Sequence, residues 1–468
     1  MLLRPEQYSA APVYDLLVAA AQGRIGVDRR LLRAILERFE RAVPDLVRFG
    51  LESRHDGVYD LEPVLLDLFC YRPTSEALPF LIDCARRQRR DFPDQLFEAF
   101  RRLGAPSVEP LLQLYEETGA AEGEEIAYAL ALLGVRDQRI LKLLLGRIEL
   151  DPAEAALALA AYGDPQAVPA LEAALAKRNR DEPQEAWVRR ELEAAIAELK
   201  QGRTGAEVEP FDLWSRYPET ALPDMDALTE AERLELLGSV DEAARREAAS
   251  SFRYERPSAE AQSRLRRAAE TDPSAEVRAA CWEALAESED PAVFDALLAR
   301  LKDEAAPAVE RAGALVGLAR HLQDPAVRHY ALQFCERPET RARALEAMRY
   351  AFDYRLADYF LRYLDDPDVE TKRQAILGIG WLGLKAHVGK LEKFFDDEDL
   401  RLSALEAYAL AAPTGDVSRV NMRRLLAKIE RLAGGLSPLE AEVVQVALDD
   451  RLRAAGLKPL SDDTNDDE

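Results

Sequence analysis

The chain is expected to fold as an all-α superhelix, a solenoid of antiparallel helix pairs. Three observations predict it: a helix-forming composition, a repeat close to thirty residues long, and apolar stripes at helical spacing. Aromatic residues make up only 7% of the 468, while Ala, Leu, Glu and Arg, the strong helix formers, dominate. At 48% hydrophobic and 32% charged the chain has the content of a folded protein, and its length exceeds what one core organises. Two blocks or one elongated array are therefore expected.

The repeat shows first in the acidic residues ahead of apolar-periodic runs. Asp60, Asp91, Glu122 and Asp151 stand about thirty residues apart, where an N-cap or first-turn charge belongs. Half a period later come Leu78-Pro79-Phe80-Leu81, Glu109-Pro110-Leu111-Leu112 and Val168-Pro169-Ala170-Leu171. Proline there fits a first helical turn, where its missing N–H costs no hydrogen bond. Each unit is thus helix, turn, helix. The second half repeats the plan in units beginning at Asp272, Ala305, Pro338, Asp366 and Glu398. Val277, Ala280, Cys281, Ala284 and Leu285 fall at i, i+3, i+4, i+7 and i+8, a single stripe that only stacking against neighbouring hairpins can bury.

The run from Asp272 to Ala280, with Asp290-Pro291-Ala292-Val293 and Ala296-Leu297-Leu298 after it, resembles the HEAT-like repeat of the phycobilin-lyase type. Gly163 to Leu171 and Asp366 to Arg373 resemble other pieces of it. The resemblance spans most of positions 60 to 435 and implies a fold. It implies no single function, because such repeats serve lyases, hydroxylases, chaperones and scaffolds.

Boundaries follow from breaks in the pattern. Residues 1–59 are expected as N-terminal capping helices, 60–200 as N-terminal repeats, 201–228 as an acidic Gly/Pro-containing linker, 229–460 as C-terminal repeats, and 461–468 as a disordered acidic tail. The linker carries Phe211, Trp214, Tyr217 and Met225 among its acids, which favours packing back over the repeats; a short docking motif is the alternative. No basic-then-apolar leader opens the chain, and no apolar run approaches the ~18 residues of a membrane span, so a cytoplasmic location is expected.

Chemistry-bearing motifs are sparse. Cys70, Cys84, Cys281 and Cys335 lack zinc-site spacing and sit in apolar stretches, as small buried hydrophobes do. His321, His329 and Cys335 match no metal-ligand spacing. The related deoxyhypusine hydroxylases hold iron on His-Glu pairs, whereas His55, His321, His329 and His387 are followed by Asp56, Leu322, Tyr330 and Val388. No nucleophile elbow, P-loop or dinucleotide fingerprint occurs, and Gly378, Gly380 and Gly383 are expected to permit close helix packing. Tyr350, Phe352, Tyr354, Tyr359, Phe360 and Tyr363 could form a ligand platform, but the helical spacing of Leu356, Tyr359, Phe360 and Tyr363 assigns them to the core.

A noncatalytic scaffold that holds a protein or extended peptide on its concave face is therefore expected, with no catalytic residue, no cofactor and no metal. The alternatives are a chromophore lyase or lyase-like chaperone, and a HEAT-like nucleic-acid enzyme with a basic groove. The net charge of −24 opposes nonspecific binding to nucleic acid or an anionic membrane. Against that balance, the expected second helices hold 26 Lys and Arg to 16 Asp and Glu. Bases at helix ends explain part of the excess. Arg264, Arg300, Arg328, Arg362, Lys390 and Arg423 are accordingly expected to line a basic concave ridge suited to an acidic peptide, the chain's own Asp462 to Glu468 tail among the possibilities.

Overall fold

The structure, a computed structural model, describes residues 4–52, 59–178, 185–202, 209–253 and 255–461. Every regular element among the described residues is a helix, as the composition requires. The expected tail, from residue 462 onward, and His55 lie outside the described residues. The chain divides into two compact units, Met1–Leu228 and Thr229–Glu468.

The first unit contains α1 (Val13–Ala21), α2 (Arg29–Leu36), α3 (Phe39–Glu52), α4 (Glu62–Tyr71), α5 (Leu78–Arg87) and α6 (Asp94–Leu103). It continues with α7 (Val108–Thr118), α8 (Glu124–Leu132), α9 (Gln138–Arg147), α10 (Pro152–Tyr162), α11 (Val168–Ala176) and α12 (Ala186–Lys200). Starts follow the expected signals. The Asp151 carboxylate accepts from the N–H groups of Ala153 and Glu154, and Pro79 and Pro169 occupy first turns. From residue 209 onward the expected linker is docked. Leu213 is fully buried in the first unit's core, with Phe211, Trp214 and Tyr217 packed against that core. Tyr217 Oη and Arg216 Nε both donate to the buried Asp67 carboxylate of α4 at 2.8 Å, and Asp28 accepts from the Ala221 N–H at 3.0 Å. Aromatic residues in a Gly/Pro-containing stretch have bought a fixed course along α2, α4 and α6.

The second unit contains α13 (Glu230–Leu236), α14 (Glu242–Ser250), α15 (Ala259–Thr271), α16 (Ala275–Ala284), α17 (Pro291–Lys302), α18 (Ala308–Gly317) and α19 (Pro325–Cys335). After them come α20 (Pro338–Tyr350), α21 (Ala357–Arg362), α22 (Val369–Trp381), a 3-10 helix Lys385–Phe394, α23 (Arg401–Ala411), α24 (Arg419–Leu432) and α25 (Pro438–Ala454). Helices α16, α18, α20, α22 and α23 open the five repeats read from the sequence. They form a first row with α14 and α25, in which each member packs on the next. The partners α15, α17, α19, α21, the 3-10 helix and α24 form a second, more widely spaced row.

Small residues set the first row's spacing. A methyl group added at Gly313 would stand 2.8 Å from Ala279 Cα, and one added at Gly380 would stand 2.5 Å from Ala407 Cα. Gly378 meets the ring of Phe360 just as closely, so these glycines serve the close packing their sequence context predicts. Gly383, at φ +59°, adopts the left-handed conformation that follows the α22 C-terminus.

Gly380→Ala should therefore destabilise the fold. Helix propensity would return about 1 kcal/mol, but overpacking against backbone atoms that cannot rotate away costs about 1–3 kcal/mol, here toward the upper end. A net loss of about 1–2 kcal/mol is expected in urea denaturation. Gly389→Ala, in the 3-10 helix where the added methyl meets nothing within 4 Å, should by contrast raise the midpoint slightly, by about 0.4–1 kcal/mol in stability.

Candidate binding surface

The first row of the second unit carries charge inside as well as apolar surface. Glu310 of α18, 1% exposed, accepts from Arg278 of α16 at 2.9 Å, pairs with Arg300 of α17 at 3.1 Å, and accepts from the Trp282 indole N–H at 3.4 Å. Nearby, Arg253 and Arg343 both pair with Glu283 of α16 and with Glu346 of α20. Farther along, Arg349 of α20 is buried with its guanidinium over the rings of Tyr350 and Trp381, at 4.4 and 4.6 Å. A cation stacked on aromatic faces replaces part of its lost hydration.

Beyond Arg349 the row opens into a groove of about 720 Å³, lined by α22, α23, α25 and the turn after α20. Phe352 of that turn is the non-glycine residue with a left-handed backbone, φ +48°, among the described residues. Such a conformation costs on the order of 1–3 kcal/mol and persists where its surroundings impose it. Here it stacks the Phe352 ring on Trp381 at 26° between ring planes, 5.7 Å between centroids, while leaving Phe352 57% exposed. Tyr354, Leu439 and Val446 are also open to solvent, at 69%, 60% and 50%. Glu406, Glu442 and Asp450 complete the lining, which contains no Lys or Arg. Asp450 shares its charge with Arg453 at 2.8 Å, whereas Glu406 accepts from the Trp381 Nε1–H at 3.4 Å. Burial pushes the Glu406 carboxyl above the ordinary range, with the Trp381 hydrogen bond acting against it.

The aromatic group expected in the core is therefore divided. Leu356, Phe360 and Tyr363 are buried, but Phe352 and Tyr354 face solvent in the groove. Glu406, Leu439, Glu442 and Val446 were not singled out by the sequence reading. For the last three the signal was available in α25, where Leu439, Glu442, Val443, Val446 and Asp450 lie on one face, apart from the buried Val444, Ala447, Leu448 and Leu452.

The six basic residues expected on a concave ridge all lie in the second row. Arg300 is engaged by Glu310 and by Asp303, Arg328 pairs with Asp353 at 3.0 Å, and Arg362 pairs with Glu336 at 2.8 Å. Arg264 is exposed, 4.0 Å from Glu260, and Lys390 and Arg423 are exposed as well. Four of the six, Arg264, Arg300, Arg328 and Arg362, are thus paired with carboxylates of their own unit. All four cysteines are buried and unpaired, with burial raising the Cys70, Cys281 and Cys335 thiols to about 12, so they are held protonated. His321 packs edge-on against Phe294 and His329 against Tyr330. Among the described residues no group of three or more His, Cys, Asp or Glu is placed to hold a metal ion, and no helix is long and apolar enough to cross a membrane.

Comparison with known proteins bears on the second unit above all. A family model of HEAT repeats matches residues 230–319, the span of α13 to α18, and this segment consists of HEAT repeats. Human deoxyhypusine hydroxylase in complex with glycerol is 18% identical over 69% of this chain and 98% of its own, with a TM-score of 0.20. An engineered protein is likewise 18% identical, over 82% of this chain and 98% of its own, with a TM-score of 0.21. Superpositions at this level transfer no activity. No curated protein matches the sequence.

Glu406 makes the stability of this unit depend on pH. Because its folded-state pKa is raised, the folded chain holds this proton more tightly than the unfolded chain, and folding loses stability as pH rises from the unfolded value, about 4.3, through the folded one. Glu406→Gln keeps the acceptor for Trp381 and removes that loss. It should be more stable than the parent protein at pH 7, with the advantage shrinking as pH falls toward 4, as urea denaturation at the two pH values would measure.

Proposed function

We propose that this protein is a HEAT-repeat scaffold that holds a segment of another protein against the first-row face of its second unit. The observation that carries the reading is the groove of Phe352, Tyr354, Trp381, Leu439 and Val446. Large apolar side chains left together in water mark an interaction surface rather than a core. Unequal spacing of the two rows supports the same face. A stack of helical hairpins bends toward its more closely packed row, and that row lines the inside of the bend, where repeat proteins present extended binding surfaces. On this reading the second row, with Arg264, Arg300, Arg328, Arg362, Lys390 and Arg423, is the outer one. Ion pairs already made by Arg300, Arg328 and Arg362 leave a weaker field there for an acidic peptide.

Photo-crosslinking separates the two faces. With benzoylphenylalanine at position 446 or at position 390, irradiation in native lysate should give polypeptide adducts at 446 and few at 390. Adducts confined to 390 would assign binding to the basic second row. Adducts at neither position would overturn the scaffold reading for this unit.

A further inference from the structure

Resting on that reading, the chemistry of the groove specifies its occupant more closely. One wall is apolar. On α25, Leu439, Val443 and Val446 recur at i, i+4 and i+7, facing the Phe352–Trp381 stack and Leu410 of α23. This helix already buries Val444, Ala447, Leu448 and Leu452 on its other side, so the second apolar stripe is surplus to folding of the unit. The other component is anionic. Glu406 and Glu442 open onto the same space, and Asp450 stands one helical turn beyond Val446. The buried Arg349 stacks on the rings of Trp381 and Tyr350 and also acts on Glu406, so the exposed Glu442 is the carboxylate most open to a partner.

We propose that the groove takes an amphipathic helical segment of a partner protein whose apolar anchors are flanked by Lys or Arg. The anchors would enter between the Phe352–Trp381 stack and Val446, in the manner of a helix laid into a groove. A flanking ammonium or guanidinium then meets Glu442, with Glu406 deeper and Asp450 at the end of the stripe. Charge complementarity decides between occupants. An acidic segment, including residues 462–468 of this chain with their five Asp and Glu, would be repelled by Glu442 and Glu406, and a neutral apolar segment would leave Glu442 unpaired beneath it. A basic flank satisfies both walls. Partner selection therefore comes from carboxylates on an apolar seat, the reverse of the basic ridge expected from charge counts.

The test uses the full chain and three fluorescein-labelled peptides of about fourteen residues, read by fluorescence anisotropy. One is an amphipathic Leu/Lys helix, the second replaces its Lys by Glu, and the third replaces its Leu by Ser. The Leu/Lys peptide should bind about tenfold or more tighter than either relative at physiological salt. Leu439→Ser with Val446→Ser, and separately Glu406→Gln with Glu442→Gln, should each weaken it at least about fivefold, while circular dichroism melting shows both variants folded. Glu76→Gln with Glu116→Gln, two exposed acids of the first unit, should have no effect.

Equal binding of the Leu/Glu peptide would overturn the basic specificity while crosslinking at 446 still supported a scaffold. Binding of Leu/Lys that the remote pair weakens as much as the groove variants do would reveal diffuse attraction to an acidic chain and overturn the site. No binding by any peptide would overturn the proposal. Self-association of the chain in sedimentation velocity, abolished by the Leu439 and Val446 substitutions, would give the groove to a second copy and equally overturn it.

Discussion

The close approach of first-row helices is the constraint on which the second unit depends. A single HEAT hairpin cannot bury its own apolar stripe, so its stability is borrowed from the next hairpin, and the distance between them is set by what stands at the crossing. Glycine facing alanine at 313 and 279, and again at 380 and 407, lets backbone meet backbone. Gly389 of the second row meets nothing within 4 Å, and that row is more widely spaced. The asymmetry of spacing, and with it an inner and an outer face, thus originates in a few missing methyl groups rather than in any special loop.

Close packing alone does not fix the register between repeats, because alanine-rich surfaces slide with little penalty. Buried and half-buried ion pairs supply the missing specification. Arg245 of α14 pairs with Asp272 just ahead of α16, Arg341 of α20 with Asp366 just ahead of α22, and Arg278 of α16 with Glu310 of α18. Each joins one first-row helix to the beginning of the next. Such pairs add little net stability, since desolvation offsets most of their attraction, but a slipped register would strand a buried charge at a cost of about 3–5 kcal/mol. Their contribution is to specificity of stacking, and they consume many of the arginines that a charge count would treat as available to a partner.

That consumption explains which features were legible in the sequence. Helical class, repeat length, proline-bearing starts and the packing role of Gly378 and Gly380 depend on residues near in sequence, and all could be read. The aromatic character of 209–228 likewise signalled a docked segment. Partnerships across one repeat could not be read in the same way. Arg328 and Asp353 are 25 residues apart, Arg362 and Glu336 are 26, and nothing local in either neighbourhood reveals the pair. Phe352 shows a different obstacle. A phenylalanine in left-handed conformation is imposed by its surroundings, so an aromatic-rich stretch looked like core throughout when its first part is turned outward. In α25 the difficulty is two apolar faces, of which the sequence cannot say which one is spoken for.

The division of labour in the groove follows from the same electrostatic setting. On a chain of net charge −24, a long-range field draws cationic segments without discrimination, and salt screens it beyond roughly 8 Å at physiological ionic strength. Carboxylates that merely added to this field would confer no selectivity. Glu406 and Glu442 differ because they flank an apolar seat, where a bound segment excludes water and the pairing is felt at short range. Apolar contact fixes where the segment lies, and only then does the placement of its charges matter. The exposed Phe352–Trp381 stack and the outward stripe of α25 are therefore what converts a nonspecific acidic surface into a site able to tell one basic segment from another.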